Sequence, residues 1–420
     1  MKSLEVRLRR EPGQERLVGR LAETGPRSAG GQLVFEYDSA FLADPLWLSP
    51  FKLPPQAGLI EHRDQEFGPI FGLFDDSLPD GWGLLLMDRF FRQQGSALAE
   101  ISVLDRLAYL GSRTMGALTY HPPAEPSDPS DRILDLHRMA LASRQVIEGG
   151  AGQVLPLLLR AGGSPGGARP KVLVGLRGDS ILSGEDDLPP GYSHWIVKFA
   201  ADADSAQAGP AEFAYSLMAK EAGLTMPATR LFETAAGERF FGVERFDRQG
   251  NRRYHVHTFG NLIHANFRIP SCDYRQLLEV TRILTRNHQD VLECYRRMVF
   301  NVLTHNRDDH VKNFAFRMSD EGVWELAPAY DLVYSEGPGG EHTMTVAGEG
   351  RAPTRRHLLN LAAPAGISDA DAESALDQVA AASARWRTYA RRARVGTKSA
   401  QEIGKAIAKC LARLRQRRPG

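Results

Sequence analysis

Three polar residues at fixed spacing carry the clearest chemical signal in the chain: Asp308, then Asn313 five residues later, then Asp331 eighteen residues beyond the Asn. A carboxylate at the first position can accept the proton of a reacting hydroxyl group. An amide and a second carboxylate are oxygen ligands of the kind that Mg²⁺ prefers, and phosphate oxygens and waters can complete its shell. The stretch therefore contains a candidate general base and two candidate metal ligands.

The order Asp, Asn, Asp is typical of phosphoryl-transfer enzymes of the protein-kinase type. An apolar helix that ends near residue 303 precedes the run, and apolar strands are predicted at 313–316 and 323–326. The alternative is an ordinary turn with solvated charges, since aspartates are common in turns. Features upstream in the chain favour the first interpretation.

A glycine-rich segment at 161–171 leads directly into an apolar strand at 172–176. Glycine lets backbone N–H groups approach a phosphate, and cations beside them add positive charge. A flexible linker has a similar composition, but the position before a strand favours a phosphate-binding loop. The candidate nucleotide-binding residues of this loop are Gly166, Gly167, Ala168, Arg169 and Lys171.

Lys198 is a single cation in the apolar strand 193–199. Burying an unpaired ammonium group is costly, so a partner is expected. Glu212, near the start of a helix predicted at 211–222, can provide it, because kinases pair a strand lysine with a helix glutamate. The alternative is a surface lysine on an edge strand. A strand at 240–248 then ends in a charged run, where the backbone of Glu244 and Phe246 could bind an adenine edge.

The elements that must position these residues predict an α+β, two-lobed, protein-kinase-like fold. Residues 1–120 read as a strand-rich N-terminal subdomain, in which Trp82 is expected to be a buried structural residue at the start of a helix. Residues 121–131 are rich in proline and small polar residues and form a predicted linker. A nucleotide-binding lobe follows at 132–248, and a mostly α-helical catalytic lobe at 249–420.

Composition indicates a globular protein with well-formed cores, since 42% of the 420 residues are hydrophobic and 25% are charged. The net charge of +1 favours no particular partner, but residues 385–418 hold twelve Lys or Arg and one acid. That basic end is either a solvated helix face or a DNA contact. Three widely spaced cysteines, no signal peptide and no apolar run long enough to span a bilayer predict a cytoplasmic protein.

These motifs together resemble those of the HipA family of serine/threonine kinase toxins from bacterial toxin–antitoxin systems. The resemblance covers nearly the whole chain. Its most specific element runs from Asn306 through Asp308 to Asn313 and continues in Tyr330-Asp331-Leu332, and Leu78-Pro-Asp-Gly-Trp-Gly83 is similar to a motif of the N-terminal part.

The resemblance implies ATP and Mg²⁺ as cofactors, Asp308 as the catalytic base, and Asn313 and Asp331 as magnesium ligands. Lys198 would contact the nucleotide phosphates, and Ser164 would be autophosphorylated, which expels the loop and inactivates the kinase. His310 would lie at the nucleotide as well. Asp309 and Lys312, in the same motif, and Glu212 would have supporting roles.

The family also implies partners: an aminoacyl-tRNA synthetase as protein substrate, a small helix-turn-helix antitoxin of the HipB type, and operator DNA bound through the antitoxin complex. Two alternatives remain open at the level of sequence. One is a small-molecule kinase of the aminoglycoside or choline type, which would not need the first 120 residues. The other is a DNA-binding co-repressor subunit with little kinase activity.

Overall fold

A computed structural model describes residues 2–25, 32–124, 133–149, 158, 166–185, 187–201 and 204–415. Ser164 and most of the predicted linker at 121–131 lie outside these residues. Across the described part of the chain, no helix combines the length and the apolar character needed to span a membrane. Cys272, Cys294 and Cys410 are buried free thiols.

The N-terminal part is an antiparallel sheet with four helices. Leu4, Val6 and Leu8 alternate with more exposed residues on the first strand, which is the period of a half-buried strand. The sheet order is β4-β3-β2-β1-β5. The elements are β1 Lys2–Glu11, β2 Gln14–Glu23, β3 Leu33–Tyr37, α1 Ser39–Ala43, β4 Leu59–Glu61, α2 Gly72–Asp75, α3 Gly81–Gln93, α4 Val103–Leu110 and β5 Leu118–His121.

The middle part is a second antiparallel sheet, of order β7-β6-β8-β10-β9, flanked by two helices. Its strand β6 is almost completely buried, which explains its unbroken apolar sequence. The elements are α5 Leu136–Ile147, β6 Lys171–Arg177, β7 Ser180–Ser183, β8 Ser193–Lys198, α6 Ala208–Glu221, β9 Thr229–Glu233 and β10 Arg239–Glu244.

The remaining part is mostly helical and is built on one long buried helix, α9, which packs against α8, α11 and α13. A three-stranded sheet of order β13-β14-β15 lies beside it. The elements are β11 Arg248–Gln249, β12 Arg252–Arg253, β13 His255–Thr258, α7 Phe259–Ile263, α8 Tyr274–Thr285, α9 His288–Thr304, β14 Ala315–Met318, β15 Trp324–Leu326, α10 Arg355–Leu359, α11 Asp369–Ala384, α12 Trp386–Arg392 and α13 Thr397–Arg415.

Three predicted strand boundaries need correction. The strand predicted at 240–248 ends at Glu244, and the chain turns out of the sheet at 245–247. The strand predicted at 313–316 begins only at Ala315, because Val311–Asn313 forms a 3₁₀ turn that continues the preceding polar loop. The strand predicted at 323–326 begins at Trp324, and Val323 is an exposed residue before the strand.

The N-terminal sheet does not have a separate core. Phe35 and Phe74 belong to the same apolar cluster as Phe300 of α9 and Val379 of α11. A second cluster lies under the middle sheet, and it includes Trp82 of α3. The predicted burial of Trp82 is confirmed, and the N-terminal part contributes to both cores.

Candidate active site

A cleft that is open to solvent lies where the three parts meet. The middle sheet forms one wall, the polar loop after α9 forms the other, and N-terminal residues close one end. The charged and polar side chains that line it are Asp75, Asp76, Asp80, Lys171, Lys198, Glu212, Ser216, Glu244, Arg245, Thr258, His310, Lys312, Asn313 and Asp331.

The described part of the glycine-rich loop, residues 166–171, lies close to the ammonium group of Lys171. Lys171 Nζ donates a hydrogen bond to the carbonyl of Gly166. Gly167 has a φ of +102°, a conformation that favours glycine, and a Cβ built there would lie 2.6 Å from Lys171 Nζ and displace this flexible end of the lysine. Burial, assisted by the charge of Lys198, lowers the pKa of Lys171 to about 8.

Lys198 forms the predicted ion pair with Glu212, and it also contacts Asp331. Its Nζ lies 2.6 Å from Glu212 Oε1 and 2.5 Å from Asp331 Oδ1. Burial alone would lower the pKa of Lys198, but the charges of Asp331 and Glu212 outweigh it and raise the pKa to about 12. Arg169 Nη1 lies 3.4 Å from Glu212 Oε2, so the glycine-rich loop is tied to the same carboxylate.

Asp308 lies on the loop that follows α9. The helix ends at His305, whose φ of +59° turns the chain out of the helix. Asn313 Nδ2 donates to the backbone carbonyl of Asp308 at 2.6 Å, which fixes the distance between these two residues. The Asp308 side chain is exposed, and it is not among the residues that line the cleft. The surrounding protein raises its pKa; His310 opposes this, and Asp331 and Asp309 add to it.

Asp309 points away from the cleft and anchors the loop. Its carboxylate accepts hydrogen bonds from Tyr274 Oη at 2.7 Å and the Thr343 amide at 2.8 Å, and it pairs with His342 Nδ1 at 2.8 Å. It is 1% exposed. A buried carboxylate with this many partners is a rigid support for its neighbour Asp308.

His310 and Lys312 complete this wall of the cleft. His310 Nδ1 accepts the Lys312 amide hydrogen at 3.2 Å, so the imidazole holds the 3₁₀ turn. Lys312 Nζ lies 2.8 Å from Asp75 Oδ2 and 4.8 Å from the centre of the Phe267 ring. Burial would lower the pKa of Lys312, but Asp75 and Asp76 outweigh it and raise that pKa.

Asp331 and Asn313 form the candidate metal site. Asp331 has a φ of +55°, an uncommon conformation for a residue with a side chain. Burial would raise the pKa of its carboxyl, but Lys198 and Lys171 hold that pKa well below the usual range, so the group is ionised. Within the described ranges no group of three or more His, Cys, Asp or Glu could hold a metal. One carboxylate and the Asn313 Oδ1 fit Mg²⁺ when phosphates supply the other ligands.

The apolar end of the cleft adjoins the residues predicted to bind adenine. Ile196, Val243 and Leu332 line it, and the Phe246 ring stacks on Tyr330 at 5.4 Å between centres. The amides of Glu244 and Arg245 donate to Ala228 and His194 carbonyls at 2.9 and 2.8 Å. Burial raises the pKa of Glu244.

Three acids from the N-terminal part were not predicted as site residues. Asp75 pairs with Lys312. Asp76 pairs with His257 Nδ1 at 2.6 Å and accepts the Thr258 amide at 2.9 Å. Asp80 Oδ1 accepts the amide hydrogen of Gly167. Their clustering between 75 and 80 was the available signal, but it is also the composition of an ordinary turn.

Comparison with known proteins agrees with this architecture. The family model of the HipA N-terminal domain matches residues 13–121, and that of the HipA-like C-terminal domain matches residues 163–386. HipA of Shewanella oneidensis MR-1, solved in a complex with HipB and its operator DNA, superposes with a TM-score of 0.70. The alignment covers 98% of this chain and 96% of that one, at 19% identity.

A kinase-named protein of Sinorhizobium fredii, Y4dM, is 30% identical over 152 residues. The match covers 33% of this chain and 37% of that protein, so it spans little more than a third of the relative's length.

The two lobes and the paired Lys198 define an α+β, protein-kinase-like fold. The two domain matches assign the chain within that class: it belongs to the HipA family.

Proposed function

We propose that this chain is a serine/threonine protein kinase toxin that transfers the γ-phosphate of ATP to a serine of a cellular protein and to its own Ser164. The observation that carries the proposal is the position of Lys198, which contacts Glu212 and Asp331 together at one wall of the cleft. Kinases need both the Lys–Glu pair and the second aspartate in place for phosphoryl transfer.

In this proposal each residue has a defined task. Asp308 accepts a hydrogen bond from the substrate hydroxyl and takes its proton, and its raised pKa suits that role. Lys198 and Lys171 bind phosphate oxygens, and the Phe246 amide and the apolar end of the cleft receive the adenine. Asn313 Oδ1 and Asp331 would hold Mg²⁺, which when bound neutralises phosphate charge. Positioning and charge neutralisation supply most of the rate.

Asp308→Ala tests the proposal. We expect the variant to bind ATP with nearly unchanged affinity, because the Asn313 contact uses the backbone carbonyl of Asp308, and to lose transfer. Cell extract treated with ATP and either form is compared by phosphoproteomics, and purified wild type is searched for phosphate on Ser164. Equal phosphorylation by the two forms would show that the assignment is wrong. An aminoacyl-tRNA synthetase is the substrate class we expect to find.

The contacts of the N-terminal part favour a protein kinase over a small-molecule kinase. The latter would not need the first 120 residues, yet Asp75 and Asp80 contact both walls of the cleft. Asp75→Asn in the full chain, assayed with an aminoglycoside and with the extract, separates the two. Weaker phosphorylation of the extract supports a protein kinase, and undiminished phosphorylation of the aminoglycoside supports the small-molecule kinase.

We also propose a HipB-type antitoxin and operator DNA as partners in the cytoplasm. The support is the Shewanella neighbour, which was solved with both, and the basic end of this chain. Growth arrest on expression of wild type, absent with Asp308→Ala, tests the toxin role. Direct DNA binding requires a salt-dependent gel shift by the chain alone.

A further inference from the structure

The carboxylate of Asp80 lies against the inner side of the glycine-rich loop. Asp80 Oδ1 accepts the amide hydrogen of Gly167. A Cβ built on Gly166 would lie 3.0 Å from Oδ1 and 3.1 Å from Oδ2, so both oxygens face the loop backbone. Asp80, Gly166, Gly167 and Lys171 all line the same cleft.

These are the groups that a phosphate would use. Loop N–H groups and a nearby ammonium bind anionic oxygens. Burial and the charge of Lys198 lower the pKa of Lys171, whereas the charge of Asp80 is one of those that raise it. The Asp80 carboxylate therefore already interacts with the Lys171 ammonium group. A phosphate oxygen bound to the Gly167 amide would occupy the position that the Asp80 carboxylate now occupies. Both groups carry negative charge.

Asp80 also has a second position available. It is the N-cap residue of α3, where an aspartate side chain ordinarily accepts a hydrogen bond from an amide of the first turn. Here the Asp80 side chain makes no such bond, although its φ and ψ are those of an N-cap. A side-chain rotation toward the amide of Gly83 would restore the cap and release the loop.

We propose that Asp80 is an internal substitute for a phosphate group: its carboxylate occupies the anion site of the loop and must leave when ATP binds. The proposal rests on the proposed function. It makes the N-terminal part a determinant of nucleotide affinity, because the competing charge comes from the start of α3.

Asp80→Asn separates charge from packing, since the amide oxygen can still accept the Gly167 hydrogen. Asp80→Ser removes the charge but retains a residue that can cap α3. The matched control is Asp88→Asn, on the same helix, whose partner is Arg106 at 2.6 Å. Each protein is titrated calorimetrically with ATP and with adenosine, in EDTA and again with Mg²⁺, after thermal unfolding has verified that it is folded.

Both Asp80 variants should bind ATP roughly tenfold more tightly than wild type in EDTA, the lower end of the effect of one adjacent charge. Adenosine affinity should not change, and Asp88→Asn should match wild type. ATP affinity that is equal or weaker in both folded Asp80 variants would overturn the proposal. Weaker binding confined to Mg²⁺ would instead make Asp80 a metal ligand and also overturn it. If wild type binds neither ligand, the proposed function fails and this inference fails with it.

Discussion

Replacing Lys198 by Met would leave two carboxylates facing each other without the cation that both contact. Met retains the length and the apolar stem of the lysine but carries no charge. The Lys198 side chain is 12% exposed and that of Glu212 is 2% exposed, so water can only partly replace the lost partner. The variant therefore tests how strongly the site depends on this ion pair.

The expected loss of stability follows from the remaining neighbours. Removing one partner of a buried ion pair costs about 3–5 kcal/mol. Arg169 still lies 3.4 Å from Glu212, and Lys171 still acts on Asp331, so both carboxylates retain some compensation. We therefore expect Lys198→Met to lower the free energy of unfolding by about 3 kcal/mol, the lower end of that range.

The loss should depend on pH, and its sign is defined. Burial would raise the pKa of Asp331, but Lys198 and Lys171 hold it below the value of a free carboxyl. Asp331 thus stabilises the fold above about pH 4, and this contribution disappears as the pH falls through its lowered pKa. In the variant the pKa of Asp331 rises, so lowering the pH protonates a fraction of the carboxyl groups and removes part of the repulsion. We expect the loss to be about 1 kcal/mol smaller at pH 5 than at pH 7.5.

Urea unfolding at the two pH values, followed by tryptophan fluorescence, measures these differences. The control is Lys220→Met, on the same helix as Glu212, where the exposed lysine donates to the hydroxyl of Thr229 at 3.3 Å. A Lys198→Met protein within about 0.5 kcal/mol of wild type would refute the argument, since that is the range of ordinary surface changes. So would an equal loss at both pH values.

Three further predictions concern the loops. Gly81→Ala places a Cβ 2.6 Å from the Ala168 Cα, so it should lower the free energy of unfolding by about 1–3 kcal/mol and weaken ATP binding. Thermal unfolding and calorimetry measure the two effects. The control is Gly95→Ala, where φ is also positive but the new Cβ meets open space. ATP affinity should fall several-fold from pH 7 to pH 9 as Lys171 deprotonates near pH 8, and titrations of Lys171→Met should show no such fall. Asp309→Asn should lower the free energy of unfolding in urea by about 1–3 kcal/mol and abolish phosphoryl transfer while ATP still binds. A fully active variant would contradict the role of Asp309 as an anchor of the loop.

The sequence could predict the pairing of Lys198 with Glu212 because the physical requirement was local. An ammonium group in an apolar strand needs a partner, and Glu212 lies in the helix that follows that strand. The spacing of Asp308, Asn313 and Asp331 predicted a common site for the same reason. One loop and one hairpin connect the three residues, so their relative positions are set locally.

The roles of Asp75 and Asp80 could not be predicted, because their partners are distant in the chain. Asp75 bonds Lys312, 237 positions away, and Asp80 bonds Gly167, 87 positions away. Neither contact leaves a periodic pattern, and both depend on how the N-terminal sheet packs against the rest. The sequence therefore predicted only a turn at 79–83 before a helix, with no role for Asp75 or Asp76.

Through that packing the first 120 residues help to position the groups of the cleft. They share an apolar core with α9, the helix that ends just before the Asp308 loop, and they contribute Trp82, whose Nε1 donates to the Lys171 carbonyl at 3.2 Å. The same helix α3 thus holds the strand end that carries Lys171 and places Asp80 against the glycine-rich loop. A shift of α3 would act directly on the loop, because the Trp82 amide donates a hydrogen bond to the Gly167 carbonyl at 3.2 Å. A partner that binds the N-terminal sheet could therefore alter nucleotide affinity without touching the cleft.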